Sequence, residues 1–85
     1  MKKSALSGTL YTREYQVLIA LLRERREAAG LKQTDLAKIL RTDQPTVSRF
    51  ERGEVRLDVV QVRRWCAAVK VPFLDVMQEF HSRGS

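Results

Sequence analysis

An all-α fold with five helices is what the 85-residue sequence predicts. Apolar residues recur at the i, i+3, i+4, i+7 spacing of a helix in the longer segments, and no segment has the pattern of a strand. Helix-capping residues stand ahead of two of these segments. A chain of this length forms one small domain with a single core and has little surface left for a deep substrate cavity.

The first helix is expected within TREYQVLIALLRERREAAG, residues 12–30. Thr12 can cap its start, and Gly30 stands where a left-handed residue commonly ends a helix. One face carries an apolar stripe that ends in a charge. The stripe consists of Tyr15, Leu18, Ile19, Leu22 and Arg26.

A second, short helix is expected in LKQTDLAKIL, residues 31–40. Leu36, Ala37 and Leu40 share one face of this helix. Leu31 is placed to pack on Leu36 as a hydrophobic staple, which fixes how the chain enters the helix.

The third helix follows in TDQPTVSRFERG, residues 42–53. Asp43 can cap it, and Pro45 falls in the first turn, where a missing N–H has no intrahelical partner to lose. At about 100° per residue, one side holds Val47, Phe50 and Glu51, and the other holds Pro45, Ser48, Arg49 and Arg52, with Gln44 at its edge. The polar side has no use in a core, so it is available for binding.

Two more helices are expected in LDVVQVRRWCAAV and PFLDVMQEF. The folded domain is therefore predicted to span residues 12–80, between a flexible N-terminal arm at 1–11 and a disordered tail at 81–85. The predicted core contains Leu18, Leu22, Leu36, Ala37, Val47, Phe50, Val59, Val62, Cys66, Val69 and Val76.

The charge balance favours a nucleic-acid partner. Sixteen Lys and Arg against ten Asp and Glu give a net charge of +6 and a pI near 10.1. Nine basic and four acidic residues precede Thr42, so +5 of the +6 lies in that half. Many small domains are basic without binding nucleic acid, so the charge alone leaves both possibilities open.

Several function classes are not supported by the sequence. One cysteine and one histidine provide neither a disulfide framework nor a metal-ligand cluster. Cys66 lies in an apolar stripe without a general base at a recognisable spacing, so we expect a buried thiol and no enzyme activity. No run approaches the ~20 apolar residues of a membrane span, and the N-terminus lacks the apolar core of a signal peptide. We therefore expect a cytoplasmic protein with no cofactor and no small-molecule ligand.

The segment GLKQTDLAKILRTDQPTVSRFERGE, residues 30–54, resembles the helix-turn-helix of the Xre family, the Cro-like and lambda-repressor-like DNA-binding domains. The matching positions are Gly30, Leu31, Gln33, Leu36, Ala37, the turn at 41–43, Val47, Ser48, Phe50, Glu51 and Gly53. The likeness covers roughly residues 15–80 and implies a five-helix lambda-repressor-like domain. It further implies a sequence-specific regulator of transcription, a repressor, that inserts the helix at about 44–51 into the major groove of double-stranded DNA.

The polar face of the third helix has side chains that suit base edges. Gln44 can bond adenine and Arg49 can bond guanine, each through two hydrogen bonds, while Ser48 and the methyl group of Thr46 are further candidates. Without the resemblance, a merely solvated helix face would explain all four residues equally well.

Other residues are expected at phosphates. By its resemblance to the family, Gln33 at the start of the second helix meets a phosphate with the help of nearby N–H groups. Lys32, Arg41, Arg52 and Arg56 are phosphate candidates from charge and position, although surface Lys and Arg are usually only solvated.

The resemblance also matches Arg26 and Glu51 with a basic and an acidic residue that often pair in this family, which would explain the charge on the apolar stripe. Pro45 stands where relatives often carry a base-reading side chain, and Lys32 stands where they carry a capping Ser or Thr. Arg41 and Lys70 replace turn glycines. Because a left-handed residue with a β-carbon is disfavoured by ~1 kcal/mol, these two turns are candidates for a different geometry.

One short recognition helix reads few base pairs, so we expect a homodimer on an inverted repeat with half-sites about 10 bp apart. The expected dimer surface consists of Pro72, Leu74, Met77 and Phe80. The alternative is a protein-interaction module, antitoxin-like or an accessory regulator, whose helix-turn-helix surface or last helix mainly binds another protein.

Overall fold

The structure, a computed structural model, describes residues 12–84 and contains five helices and no strand in that part of the chain. The helices are α1 (Arg13–Ala28), α2 (Gln33–Ile39), α3 (Gln44–Glu51), α4 (Val59–Ala68) and α5 (Phe73–Gly84). The predicted all-α class with five helices is confirmed. The predicted flexible arm at residues 1–11 lies outside the described residues.

Side chains cap three of the helices at their N-terminal ends. The Thr12 hydroxyl accepts the N–H of Tyr15 at 3.1 Å, and the Asp43 carboxylate accepts the N–H of Thr46 at 2.9 Å. Asp58 and Gln61 cap α4 reciprocally, because each side chain accepts the backbone N–H of the other, at 2.8 and 2.7 Å. Each bond satisfies an N–H that the helix geometry leaves without a partner.

The core lies where α1 packs against α3, α4 and α5. Trp65 is 1% exposed, and its indole N–H donates to the carbonyl of Leu22 at 3.1 Å, which ties α4 to α1. The buried apolar residues are Tyr15, Ile19, Leu21, Leu22, Leu36, Ala37, Val47, Phe50, Leu57, Val62, Trp65, Cys66, Val69 and Val76.

Two of the predicted core residues are not fully buried in the structure. Leu18 is half-buried against the core, and Val59 is 66% exposed, so its assignment to the core was wrong. Val59 is the first residue after the Asp58 cap and projects from the first turn of α4 into solvent. Leu57, just before the cap, is buried in its place, and Leu21 is a further core residue outside the predicted stripe.

The first four helices end with the same backbone motif, in which a left-handed residue reverses the chain. Gly30 and Gly53 hold this position after α1 and α3, with φ of 75° and 73°, while Arg41 and Lys70 hold it after α2 and α4, with φ of 59° and 61°. The next residue's N–H then bonds back into the helix, as Thr42 does to the Ala37 carbonyl at 2.9 Å. The two turns without glycine therefore keep the left-handed geometry.

The end of α5 extends beyond the predicted domain boundary. The prediction of a disordered tail at residues 81–85 is wrong for residues 81–84, which are helical. Arg83 donates to Glu79 one turn earlier at 2.7 Å and to Glu24 on α1 at 3.1 Å. These exposed pairs are individually weak, but together they join the last turn of α5 to α1. Among the described residues, no helix is long and apolar enough to cross a membrane.

We expect Lys70→Gly to stabilise the fold. The left-handed conformation disfavours a residue with a β-carbon by about 1–2 kcal/mol, and the greater freedom of glycine in the unfolded chain offsets roughly 0.5–1 kcal/mol of that. The free energy of unfolding in urea should therefore rise by about 0.5–1 kcal/mol. Lys70→Ala, which removes the side chain but keeps the β-carbon, is the matched control and should change little; an equal gain in both variants would contradict this account.

Candidate nucleic-acid interface

A buried ion pair fixes α3 on α1. The Nε and Nη2 atoms of Arg26 donate to the two carboxylate oxygens of Glu51, with 3.1 Å between Nη2 and Oε1. Arg26 is 9% exposed and Glu51 is 6% exposed, and Nη1 of Arg26 also donates to the carbonyl of Leu31 at 2.7 Å. The contact predicted between Arg26 and Glu51 is therefore present. It places the last turn of α1 directly behind α3.

The ion pair continues into two glutamine amides. The amide nitrogen of Gln33 donates to Oε1 of Glu51 at 2.8 Å, and that of Gln44 donates to Oε1 of Gln33 at 2.8 Å. Because a carboxylate only accepts hydrogen bonds, Gln33 must turn its NH2 group towards Glu51 and its oxygen towards Gln44. Gln44 then retains one N–H and its carbonyl oxygen, which are the donor and acceptor that adenine requires.

The exposed and buried sides of α3 divide as the sequence predicts. Val47 is 0% exposed and Phe50 9% exposed, so both belong to the core. Arg49 and Gln44 are exposed, and Ser48 is half-buried. The structure therefore keeps the first two predicted base-reading side chains on the surface of one short helix.

Thr46 has a different setting from the other candidates for base contact. It is half-buried at the edge of α3 that faces α4, where it borders a cavity of about 170 Å³ beside Phe50 and Trp65. Hydrogen bonding by the Thr46 side chain, and then by its N–H, holds the pKa of the Asp43 carboxylate below its ordinary value. The nearby charge of Arg49 acts in the same direction. Thr46 thus takes part in capping α3.

The predicted phosphate-contacting residues lie in three places. Lys32 and Gln33 stand at the N-terminal end of α2, where the Asp35 carboxylate accepts the N–H of Lys32 at 2.9 Å. Arg41 lies beyond the other end of α2 and lines an open cleft of about 500 Å³ together with Arg64 of α4. The remaining two arginines, Arg52 and Arg56, follow α3 in the chain.

The loop of residues 53–57 carries Arg56 and is held by Tyr15, which the sequence pattern predicts only as a member of the apolar stripe. The Tyr15 hydroxyl accepts the N–H of Leu57 at 2.8 Å and donates to the carbonyl of Val55 at 3.2 Å. The guanidinium of Arg56 lies 5.9 Å from the centre of the Tyr15 ring. Arg52, by contrast, pairs with Glu54 at 2.8 Å.

Catalytic or metal-binding groups are sparse in the described part of the chain. Cys66 is fully buried, and burial raises the pKa of its thiol, which disfavours the reactive thiolate. No group of three or more His, Cys, Asp or Glu side chains in residues 12–84 is placed to hold a metal ion.

Removing the charge of Arg26 alone should destabilise the fold strongly. Arg26→Met leaves the Glu51 carboxylate buried without its cation, which is expected to lower the free energy of unfolding by about 3–5 kcal/mol. The double variant Arg26→Met, Glu51→Leu removes both charges and should recover most of that loss. Urea unfolding of the two variants and the parent measures this. A double variant less stable than Arg26→Met would contradict a role confined to charge pairing.

The chain is similar to proteins of known family. A family model described as a helix-turn-helix domain matches residues 18–79. A solved XRE-family like protein from Pseudomonas syringae pv. tomato str. DC3000 is 32% identical, with a TM-score of 0.82 over 96% of this chain and 100% of that one. The clp gene regulator ClgR from Corynebacterium glutamicum is 25% identical, with a TM-score of 0.75 over 86% of this chain and 78% of that one. The search of curated proteins gave no match.

Proposed function

The chain belongs to the XRE family of helix-turn-helix domains, and on that premise we propose how it engages DNA and what the binding does. As a member of this family it is a DNA-binding regulator of transcription. The proposal is that it represses transcription by inserting α3 into the major groove of a specific double-stranded site. The cytoplasmic location expected from the sequence is part of the same proposal, because a regulator acts where its DNA is.

The observation that carries this proposal is the fixed orientation of α3. Val47 and Phe50 anchor one side of the helix in the core, and Glu51 is held by Arg26. The opposite side presents Arg49 to solvent. A major groove accepts one α-helix, so a short helix whose apolar side is anchored in the core and whose polar side is exposed fits that site.

In this proposal Gln44 and Arg49 read bases. The free N–H and carbonyl oxygen of Gln44 match N7 and N6 of adenine, and the Arg49 guanidinium matches O6 and N7 of guanine. Ser48 lies between them and contributes a hydroxyl, while Thr46 contributes its methyl group from the edge facing α4. Pro45 has no side-chain hydrogen bond to offer, so the base pair beneath it is read through shape.

The phosphate contacts lie on both sides of α3. Gln33 and Lys32 meet one strand where the first N–H groups of α2 are directed outward. Arg52 and Arg56 meet the backbone beyond the other end of α3, and Arg41 adds positive charge at the turn between α2 and α3. None of these contacts requires catalysis or a cofactor, so we propose a binding function without enzyme activity.

A homodimer on an inverted repeat completes the proposal. Leu74 on α5 is 76% exposed, the largest exposure among the large apolar side chains of residues 12–84. Pro72 beside it is also exposed, whereas Met77 and Phe80 are half-buried against the core. Two copies joined here would double the number of base pairs read. Repression then follows from occupancy, because DNA covered by the dimer is closed to other proteins.

A protein-interaction module is the second candidate function. It is favoured by the exposure of Leu74 and by Ile39, which is 52% exposed beside the cleft that contains Arg41 and Arg64. In that case the same fold would bind mainly another protein. DNA binding at low salt separates the two candidates, since an interaction module without a DNA site would leave every fragment unshifted.

We expect Arg49→Ala to relax specificity at one base pair. On the preferred duplex, selected from a random-sequence pool, the loss should be about 1–3 kcal/mol, and much smaller on unrelated DNA. Lys32→Ala should instead weaken binding to all DNA sequences alike and reduce the slope of log affinity against log salt by about 0.9. Gel shifts over a salt series measure both, with Arg63→Ala, an exposed arginine of α4, as the control. If Arg49→Ala weakened binding to all DNA sequences equally, Arg49 would contact a phosphate and not a base.

Leu74→Asp should prevent two chains from occupying one DNA site. The charge would lie in the proposed apolar contact, so the complex on an inverted repeat should contain one chain and bind more weakly. Val60→Asp is the matched control, because Val60 is also apolar, is 53% exposed and lies on α4. Mass measurement of the complexes by light scattering gives the stoichiometry. A single parent chain on the natural site would contradict the dimer.

A further inference from the structure

One hydroxyl group holds the backbone on both sides of Arg56. Tyr15, in the first turn of α1, accepts the N–H of Leu57 at 2.8 Å and donates to the carbonyl of Val55 at 3.2 Å. Tyr15 is 9% exposed and Leu57 7% exposed, so both ends of the first bond are shielded from solvent. The peptide units that flank Arg56 are thus fixed by a residue about 40 positions earlier in the chain.

The start of this loop also rests on α1. Gly53 is buried and left-handed, with φ of 73°. A β-carbon there would lie 2.8 Å from the Nε2 atom of Gln16, the neighbour of Tyr15, so the backbone at Gly53 packs against the amide end of the Gln16 side chain. Both ends of the loop that follows α3 therefore contact side chains from the first turn of α1.

The side chain of Arg56 combines exposure with partial ordering. Its guanidinium lies 5.9 Å from the centre of the Tyr15 ring, within the range of a cation–π contact. Within residues 12–84 it forms no ion pair, whereas Arg52 is paired with Glu54. Of the two arginines that follow recognition helix α3, Arg56 is the one whose charge no carboxylate offsets.

We propose that Tyr15 is a positioning residue for DNA binding, which holds Arg56 ready to contact a phosphate beside the groove that α3 enters. The inference rests on the proposed function and adds a residue to it. An arginine loses much of its rotamer freedom when it binds a fixed partner. An Arg56 whose backbone is clamped and whose guanidinium rests on a ring has lost part of that freedom before DNA arrives. Tyr15 therefore strengthens binding without touching DNA.

The test is a double-variant comparison on the duplex that the unaltered protein selects from a random-sequence pool. Fluorescence anisotropy is measured over a salt series for Tyr15→Phe, Arg56→Ala and the double variant. Tyr15→Phe keeps the ring and should weaken binding roughly three- to tenfold, because the loop and the Arg56 side chain would then have to be ordered when DNA binds. Arg56→Ala should weaken it at least as much and reduce the salt slope by about 0.9. The double variant should match Arg56→Ala, because Tyr15 acts through Arg56.

Two controls separate positioning from stability. Val69→Ala removes buried volume at the end of α4, outside the surfaces proposed to contact DNA and the partner copy, and should lower the melting temperature without changing DNA affinity. If Tyr15→Phe does not fold, the same comparison is made in the Lys70→Gly background, whose greater stability is expected above. Failure to fold there as well would mean that the hydroxyl serves the fold alone, and would overturn the proposal.

The outcomes distinguish this inference from the function on which it rests. Unchanged affinity in Tyr15→Phe, or losses from Tyr15→Phe and Arg56→Ala that add in full, would overturn the positioning role while leaving DNA binding intact. No binding of any duplex by the unaltered chain would overturn the proposed function and, with it, this inference.

Discussion

The buried pair of Arg26 and Glu51 is the constraint on which the rest of the interface depends. Two charges placed among apolar neighbours need further hydrogen bonds besides those to each other, and here the Leu31 carbonyl and the Gln33 amide provide them. In residues 12–84 no buried side-chain nitrogen or oxygen lacks a partner. The pair joins α1, the start of α2 and the end of α3, so the position of α3 follows from electrostatics as well as from packing.

The features predicted correctly from the sequence are those that depend on near neighbours. The caps formed by Thr12 and Asp43 join residues three positions apart, and the buried side of α3 follows from its 3.6-residue period. The position of Gly30 in a left-handed turn is equally local. Contacts between distant segments were not visible in this way, except for the pairing of Arg26 with Glu51, which came from the resemblance to the family.

The errors have the same origin. Val59 has the spacing of a core residue, yet it lies at the start of α4, where the helix extends beyond the core. Only the packed structure shows where the core ends. Residues 81–84 have little helical signal of their own, but Arg83 reaches Glu24, 59 positions earlier. Tyr15 fitted an apolar stripe, and nothing in the pattern of the sequence showed that its hydroxyl would meet a loop about 40 residues later.

The hydrogen bonds that run from Gln44 through Gln33 to Glu51 have a fixed direction from donor to acceptor. A side-chain amide is nearly symmetric in shape, so an isolated glutamine can rotate by 180° and exchange its donor for its acceptor at little cost in packing. Glu51 removes that freedom from Gln33, and Gln33 removes it from Gln44. A carboxylate that is almost out of contact with water therefore sets the polarity of an amide on the surface. The buried charge of Glu51 can thus determine which hydrogen-bonding groups Gln44 presents at the surface, without any movement of the backbone.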